Sequence, residues 1–75
     1  MSSMTYTVDD GIWESLAAVR LRPSAGRDVT AITAWCRQMW GKSHGSLRVS
    51  VWVSAQGAVY VRQGEPGSLA KLTWA

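Results

Sequence analysis

Residues 48–62, RVSVWVSAQGAVYVR, alternate apolar and polar side chains on both sides of Ala55-Gln56-Gly57. Period-two alternation marks a half-buried strand, and two such runs around a glycine-bearing turn make a hairpin. Nothing else in the chain restricts the fold as tightly, because the length of the turn fixes which side chains share a face. A three-residue loop Ala55-Gln56-Gly57, with Gly57 in the left-handed bulge position, pairs Ser54 with Ala58, Val53 with Val59, Trp52 with Tyr60 and Val51 with Val61. Valine then faces valine. A two-residue Gln56-Gly57 turn sets Val53 against Tyr60 and Ser54 against Val59, mixing polar and apolar groups on each face, so the three-residue loop is expected. The inner face becomes Leu47, Val49, Val51, Val53, Val59 and Val61, with Arg48, Trp52, Tyr60 and Arg62 turned outward.

The valine face needs a cover, and the chain supplies one. Asp28 is a good helix N-cap, after which Val29, Ile32, Trp35, Cys36, Met39 and Trp40 recur at three- and four-residue spacing up to Gly41. Thr30, Thr33 and Arg37 fall on the other side. A helix of about three turns is marginal alone in water, so its apolar stripe belongs on a sheet. LAAVRLRP alternates Ala17, Val19 and Leu21 against Ala18, Arg20 and Arg22 before Pro23, and reads as a strand. MTYTV (Met4–Val8) is a first strand, joined to it by the turn residues Asp9-Asp10-Gly11. Residues 12–18, IWESLAA, fit either strand or a short helical turn. After Glu65-Pro66-Gly67, Ala70, Leu72 and Trp74 alternate with Lys71 and Thr73 as a last strand, whose edge position lets Trp74 serve a dimer. The expected fold is α+β: one helix on one face of a four- to five-stranded antiparallel sheet, in the order β-β-α-β-β-β.

At 75 residues the chain has room for a single domain over 1–75, which buries only about 60–65% of the surface of its unfolded form. The 47% hydrophobic content and five tryptophans exclude disorder. One cysteine and one histidine exclude a disulfide framework and a zinc-type cluster within the chain, and no cofactor is expected. MSSMTYTVDDG has neither the basic region nor the apolar run of a secretory signal, and no stretch reaches the ~18 apolar residues of a membrane span. A cytoplasmic protein with no membrane association, monomeric or homodimeric, is expected.

Charge is segregated along the chain. Asp9, Asp10 and Glu14 precede every lysine and arginine, whereas from residue 15 onward eight basic residues face only Asp28 and Glu65. A basic body selects an acidic partner or serves solubility. With the helix on the valine face, the opposite face collects Arg20, Arg22, Arg48, Trp52, Tyr60, Arg62 and Lys71 as the expected partner-binding set. Rings among guanidinium groups suit nucleotide stacking, and equally a protein hot spot. The Trp52–Tyr60 pair can also simply stabilise its hairpin, by roughly 0.2–1 kcal/mol.

Catalysis finds little support in the residues. Gly41-Lys42-Ser43-His44-Gly45 places the only histidine in a basic, glycine-flanked loop, where it could act as a general base on RNA, although a solvated loop histidine is the ordinary case. Ser43-His44 resembles the Gly-Ser-His segment of HicA-type ribonuclease toxins, which would imply a ribonuclease. Gly-Lys-Ser is not a phosphate-binding P-loop, because the upstream glycine and strand are absent. Cys36 sits on the apolar edge of the helix, as a buried unreactive thiol does. In size, α+β order and charged aromatic face, the whole chain resembles the small proteins that phages use against host defence, anti-CRISPR proteins above all. That resemblance implies a non-enzymatic, stoichiometric inhibitor that binds a host protein or ribonucleoprotein, namely a CRISPR effector complex, and obstructs target DNA. A small nucleic-acid-binding protein is the alternative.

Overall fold

Both turns of the sheet are two residues long, and this decides the fold. The computed structural model describes residues 5–74, which form β1 (Tyr6–Trp13), β2 (Leu16–Pro23), α1 (Thr30–Trp40), β3 (Trp52–Ala55), β4 (Ala58–Arg62) and α2 (Glu65–Trp74). The four strands make one antiparallel sheet in the order β1-β2-β4-β3. The α+β class, the antiparallel sheet and α1 on one of its faces are as the sequence indicates. The fifth strand is not; a second helix ends the described chain.

The first hairpin turns at Glu14-Ser15, whose φ values of 54° and 63° are those of a type I′ turn, with Trp13 paired to Leu16. Asp9-Asp10-Gly11 is therefore not a turn but the middle of β1, and residues 12–18 are strand on both sides of the turn. The acids stay extended because they have partners on neighbouring elements: Arg20 holds Asp9, and Lys71 and Gln63 hold Asp10. Met4, expected to begin this strand, lies outside the described residues.

The second hairpin turns at Gln56-Gly57, with φ values of 55° and 72°, and pairs Ala55 with Ala58, Ser54 with Val59, Val53 with Tyr60 and Trp52 with Val61. The expected three-residue loop is thereby corrected. The one-residue difference moves every β3 side chain to the opposite face. Trp52 joins the helix-side core at 3% exposure, and its indole donates to the Gly41 carbonyl at 2.9 Å. Burying an indole stabilises more than burying a valine, and Val53 finds apolar company on the other face. Residues 47–51 are loop and not strand, with Val49 exposed and Leu47 fully buried on the face opposite the helices.

The main core joins Val19, Leu21, Val59, Val61 and Trp52 from the sheet to Ile32 and Cys36 from α1 and Ala70 from α2. The stripe expected on α1 is the one it buries, apart from Met39, which is largely exposed. Asp28 accepts the Thr30 N–H at 3.0 Å from one residue before the cap position, and Gly41, at φ 82°, returns its N–H to the Arg37 carbonyl. Helix α2 replaces the expected last strand. Gly67, Ala70, Lys71 and Trp74 recur at helical spacing, Pro66 sits in the first turn where its missing N–H costs nothing, and Leu72, expected to share a strand face with Ala70 and Trp74, is exposed. Gly67 lets this helix touch the sheet, since a Cβ there would lie 2.8 Å from Val19 Cγ2 and 2.9 Å from the Arg62 carbonyl oxygen. Trp74 is no edge-strand residue. It packs edge-on against Tyr6 and Trp35. Among the described residues no helix is long and apolar enough to cross a membrane.

Candidate anion-binding face

The register places Thr7, Asp9, Gly11 and Trp13 of β1, Leu16, Ala18, Arg20 and Arg22 of β2, and Ala58, Tyr60 and Arg62 of β4 on the sheet face away from the helices. Arg20, Arg22, Tyr60 and Arg62 thus come together as the alternation on β2 and β4 indicates. The other three expected residues do not join them. Trp52 is in the opposite core. Lys71 lies on α2, on the helix side, paired with Asp10 at 2.9 Å. Arg48 sits on the 41–51 loop, where its Nη2 donates to the Glu14 carbonyl at 3.3 Å.

Tyr60 is not available as a stacking platform. Trp13 lies nearly parallel on it, with ring centroids 4.8 Å apart and 22° between planes, and Leu47 closes the cluster they form with Ala18, Val53 and Ala58. Only 8% of Tyr60 is exposed. The loop that carries Leu47 is fastened by Glu14, whose carboxylate accepts the Leu47 N–H at 3.0 Å and the Ser46 hydroxyl at 2.9 Å. Those bonds hold the Glu14 carboxyl below its ordinary range. The Trp13 indole N–H is buried beside this carboxylate without a well-formed hydrogen bond.

Charge on this face is unevenly compensated. Asp9 takes both of its bonds from Arg20, at 3.1 and 2.8 Å, which lowers the Asp9 pKa and raises that of Arg20. Asp10 is held by Lys71 and Gln63, Glu14 by the loop, and Asp28 by the start of α1. Arg22 and Arg62 form no ion pair among the described residues. Asp9 also feels the charge of Arg22, without forming an ion pair with it, so one carboxylate faces the three guanidinium groups of Arg20, Arg22 and Arg62 and the face carries net positive charge.

Trp13 and Glu14 were beyond reach from the sequence because their roles depend on β1 running through Asp9-Asp10-Gly11. Chemistry at the remaining reactive side chains is limited. His44 is exposed on the loop after α1, where its backbone N–H donates to Ser50 Oγ at 2.7 Å. Burial pushes the Cys36 thiol up to about 12, which leaves it without thiolate at neutral pH. No three His, Cys, Asp or Glu side chains converge as metal ligands among the described residues. No protein-family model, curated protein or solved structure matches this chain.

Proposed function

We propose that the protein is a non-enzymatic binding module whose working surface is the arginine-bearing open face of the sheet, and whose partner is an anionic macromolecule. The observation that carries this is the pair Arg22 and Arg62, which share that face and have no ion-pair partner among the described residues, while the acids nearby are engaged elsewhere. Uncompensated guanidinium groups on a rigid sheet recruit phosphate or carboxylate oxygens and steer the encounter electrostatically.

The inhibitor that the chain's type implies is the most concrete form of this reading. RNA-guided effectors hold their heteroduplex in a positively charged channel. A positively charged face is repelled by such a channel, so an inhibitor of this kind engages exposed guide RNA or an acidic protein surface and holds the complex unproductively. The test uses a reconstituted CRISPR effector, with target cleavage measured as the protein is titrated and compared with Arg62→Glu and Arg22→Glu. Stoichiometric inhibition that both charge reversals abolish is expected. Inhibition indifferent to both, with the fold intact, removes the face from the function.

A further inference from the structure

At one end of the open face, the start of β1, the end of β2, the loop over 24–29 and the tip of the second hairpin enclose a hollow of about 360 Å³. Arg22 and Arg27 line it together with the hydroxyl-bearing Thr7 and Ser24 and the glycines Gly26 and Gly57. No aromatic ring does. Neither arginine forms an ion pair, and neither hydroxyl makes a hydrogen bond, among the described residues. The Arg27 stem is held in place: a Cβ on Gly57, which has φ 72°, would lie 3.1 Å from Arg27 Cγ and 3.3 Å from its Cβ. Gly26 is also left-handed, at φ 75°, and the backbone N–H groups of Gly26 and Arg27 donate to no acceptor among the described residues. A left-handed residue in such a turn gathers N–H groups into a concavity that suits an anion. Asp9 feels the charge of Arg22, but both of its oxygens are bound by Arg20, and Asp28 is turned to the start of α1.

We infer that this hollow holds a phosphate group of a nucleic-acid backbone. The inference rests on the reading that the open face binds an anionic macromolecule, and it names the chemistry of that partner. A single guanidinium fork satisfies a carboxylate, whereas two forks, two hydroxyls and free backbone N–H groups match the several oxygens of a phosphate. The volume is more than ten times the ~30 Å³ share of one water, which admits the phosphate with its sugar. Lacking a ring, the hollow has nothing on which a base can stack, so binding is indifferent to base identity.

The experiment titrates inorganic phosphate against ¹⁵N-labelled protein and, separately, measures anisotropy of a labelled single-stranded RNA. Both are run on the wild type, the double variant Arg22→Ala/Arg27→Ala and Arg62→Glu, each first shown to be folded by its amide spectrum. Phosphate should shift the Gly26, Arg27 and Gly57 amides of the wild type but not of the double variant. RNA affinity should fall at least about tenfold in the double variant, and the slope of log K against log salt should decrease by about 0.7, the value for one phosphate contact on a single strand. Loss of RNA binding in Arg62→Glu but not in the double variant leaves the broader reading standing and overturns the hollow. Saturation by inorganic phosphate with no RNA binding assigns the site to free phosphate and overturns the macromolecular partner. Absence of any phosphate-induced shift at these amides, or a phosphoserine peptide that outcompetes the RNA, overturns the assignment to nucleic acid.

Discussion

Trp52→Ala tests the register on which the open face depends. Trp52 is 3% exposed, packs in the helix-side core and donates to the Gly41 carbonyl. Truncating a buried tryptophan to alanine costs about 3–5 kcal/mol, through lost transfer energy and the cavity left behind. Loss of the indole bond adds about 0.5–1.5 kcal/mol, toward the low end here because Gly41 is exposed and its carbonyl can turn to water. A 75-residue domain has only about 4–11 kcal/mol in total, so most of the stability goes. At about 4–8 °C per kcal/mol the melting temperature should drop by well over 10 °C, or the cooperative transition should vanish. Trp52→Phe keeps most of the ring and should lose about 1–2.5 kcal/mol, with RNA or effector binding per folded molecule unchanged, because the side chain lies across the sheet from the arginines. Urea and thermal melts followed by near-UV circular dichroism measure both. Were Trp52→Ala to cost under about 1 kcal/mol, the value for an exposed cross-strand pair, the two-residue turn and the buried tryptophan would both be wrong.

Gly67→Ala should lower the melting temperature by several degrees: alanine gains up to about 1 kcal/mol of helix propensity, but contact with Val19 and the immovable Arg62 carbonyl costs about 1–3 kcal/mol. A stabilised variant would show that α2 does not touch the sheet there. Asp9, Asp10 and Glu14 all have lowered native pKa values, so the stability they contribute is present above their ordinary values near 4 and is lost as pH falls through the native ones. Urea midpoints should be flat from about pH 5 to 7 and fall below about pH 4, with a smaller fall in Glu14→Gln. Cys36 should resist iodoacetamide at pH 8 in native protein and react on unfolding, since its thiol is buried and its pKa is pushed up to about 12; alkylation at the rate of a free thiol would place it outside the core.

Elements whose signals are local were legible in the sequence. Helix α1 declares its stripe from Val29 to Trp40 and its stop at Gly41, with its start displaced by one residue because Val29 takes the cap position expected of Asp28, and β2 declares its alternation and its end at Pro23. Errors arose where distant partners outvote composition. Asp9-Asp10-Gly11 has the composition of a turn, yet Arg20, Lys71 and Gln63 keep it extended. LAKLTW satisfies period two and also continues the helical spacing of Gly67, Ala70, Lys71 and Trp74; contact with Val19 decides for the helix. At the second hairpin, valine opposite valine satisfies polarity, but burial of the larger Trp52 decides for the two-residue turn. Of the site, the arginines of β2 and β4 were readable from alternation alone. Arg27 was not, because only the folded hairpin brings Gly57 beneath its stem.

The register of the second hairpin also decides what the open face can recognise. A three-residue turn would have left Trp52 and Tyr60 side by side in solvent, able to accept bases. The two-residue turn buries Trp52 in the main core and leaves Tyr60 beneath Trp13, so the one half-exposed ring on this face is Trp13, at the opposite end of the β1–β2 hairpin from Arg22. Such a surface gains affinity from charge and hydrogen bonds, which makes it sensitive to salt and insensitive to base identity. Trp13 stacked on Tyr60 occupies the same face as the arginines, and Asp9 fixes Arg20 in the middle of their row. Arg22 lies two residues from Arg20 along β2, about 6.6 Å, so its position relative to the fixed guanidinium is set by the strand itself. Folding and binding therefore draw on different side chains: the tryptophans hold the sheet, and the exposed arginines, which contribute little to stability, can be exchanged to measure binding alone.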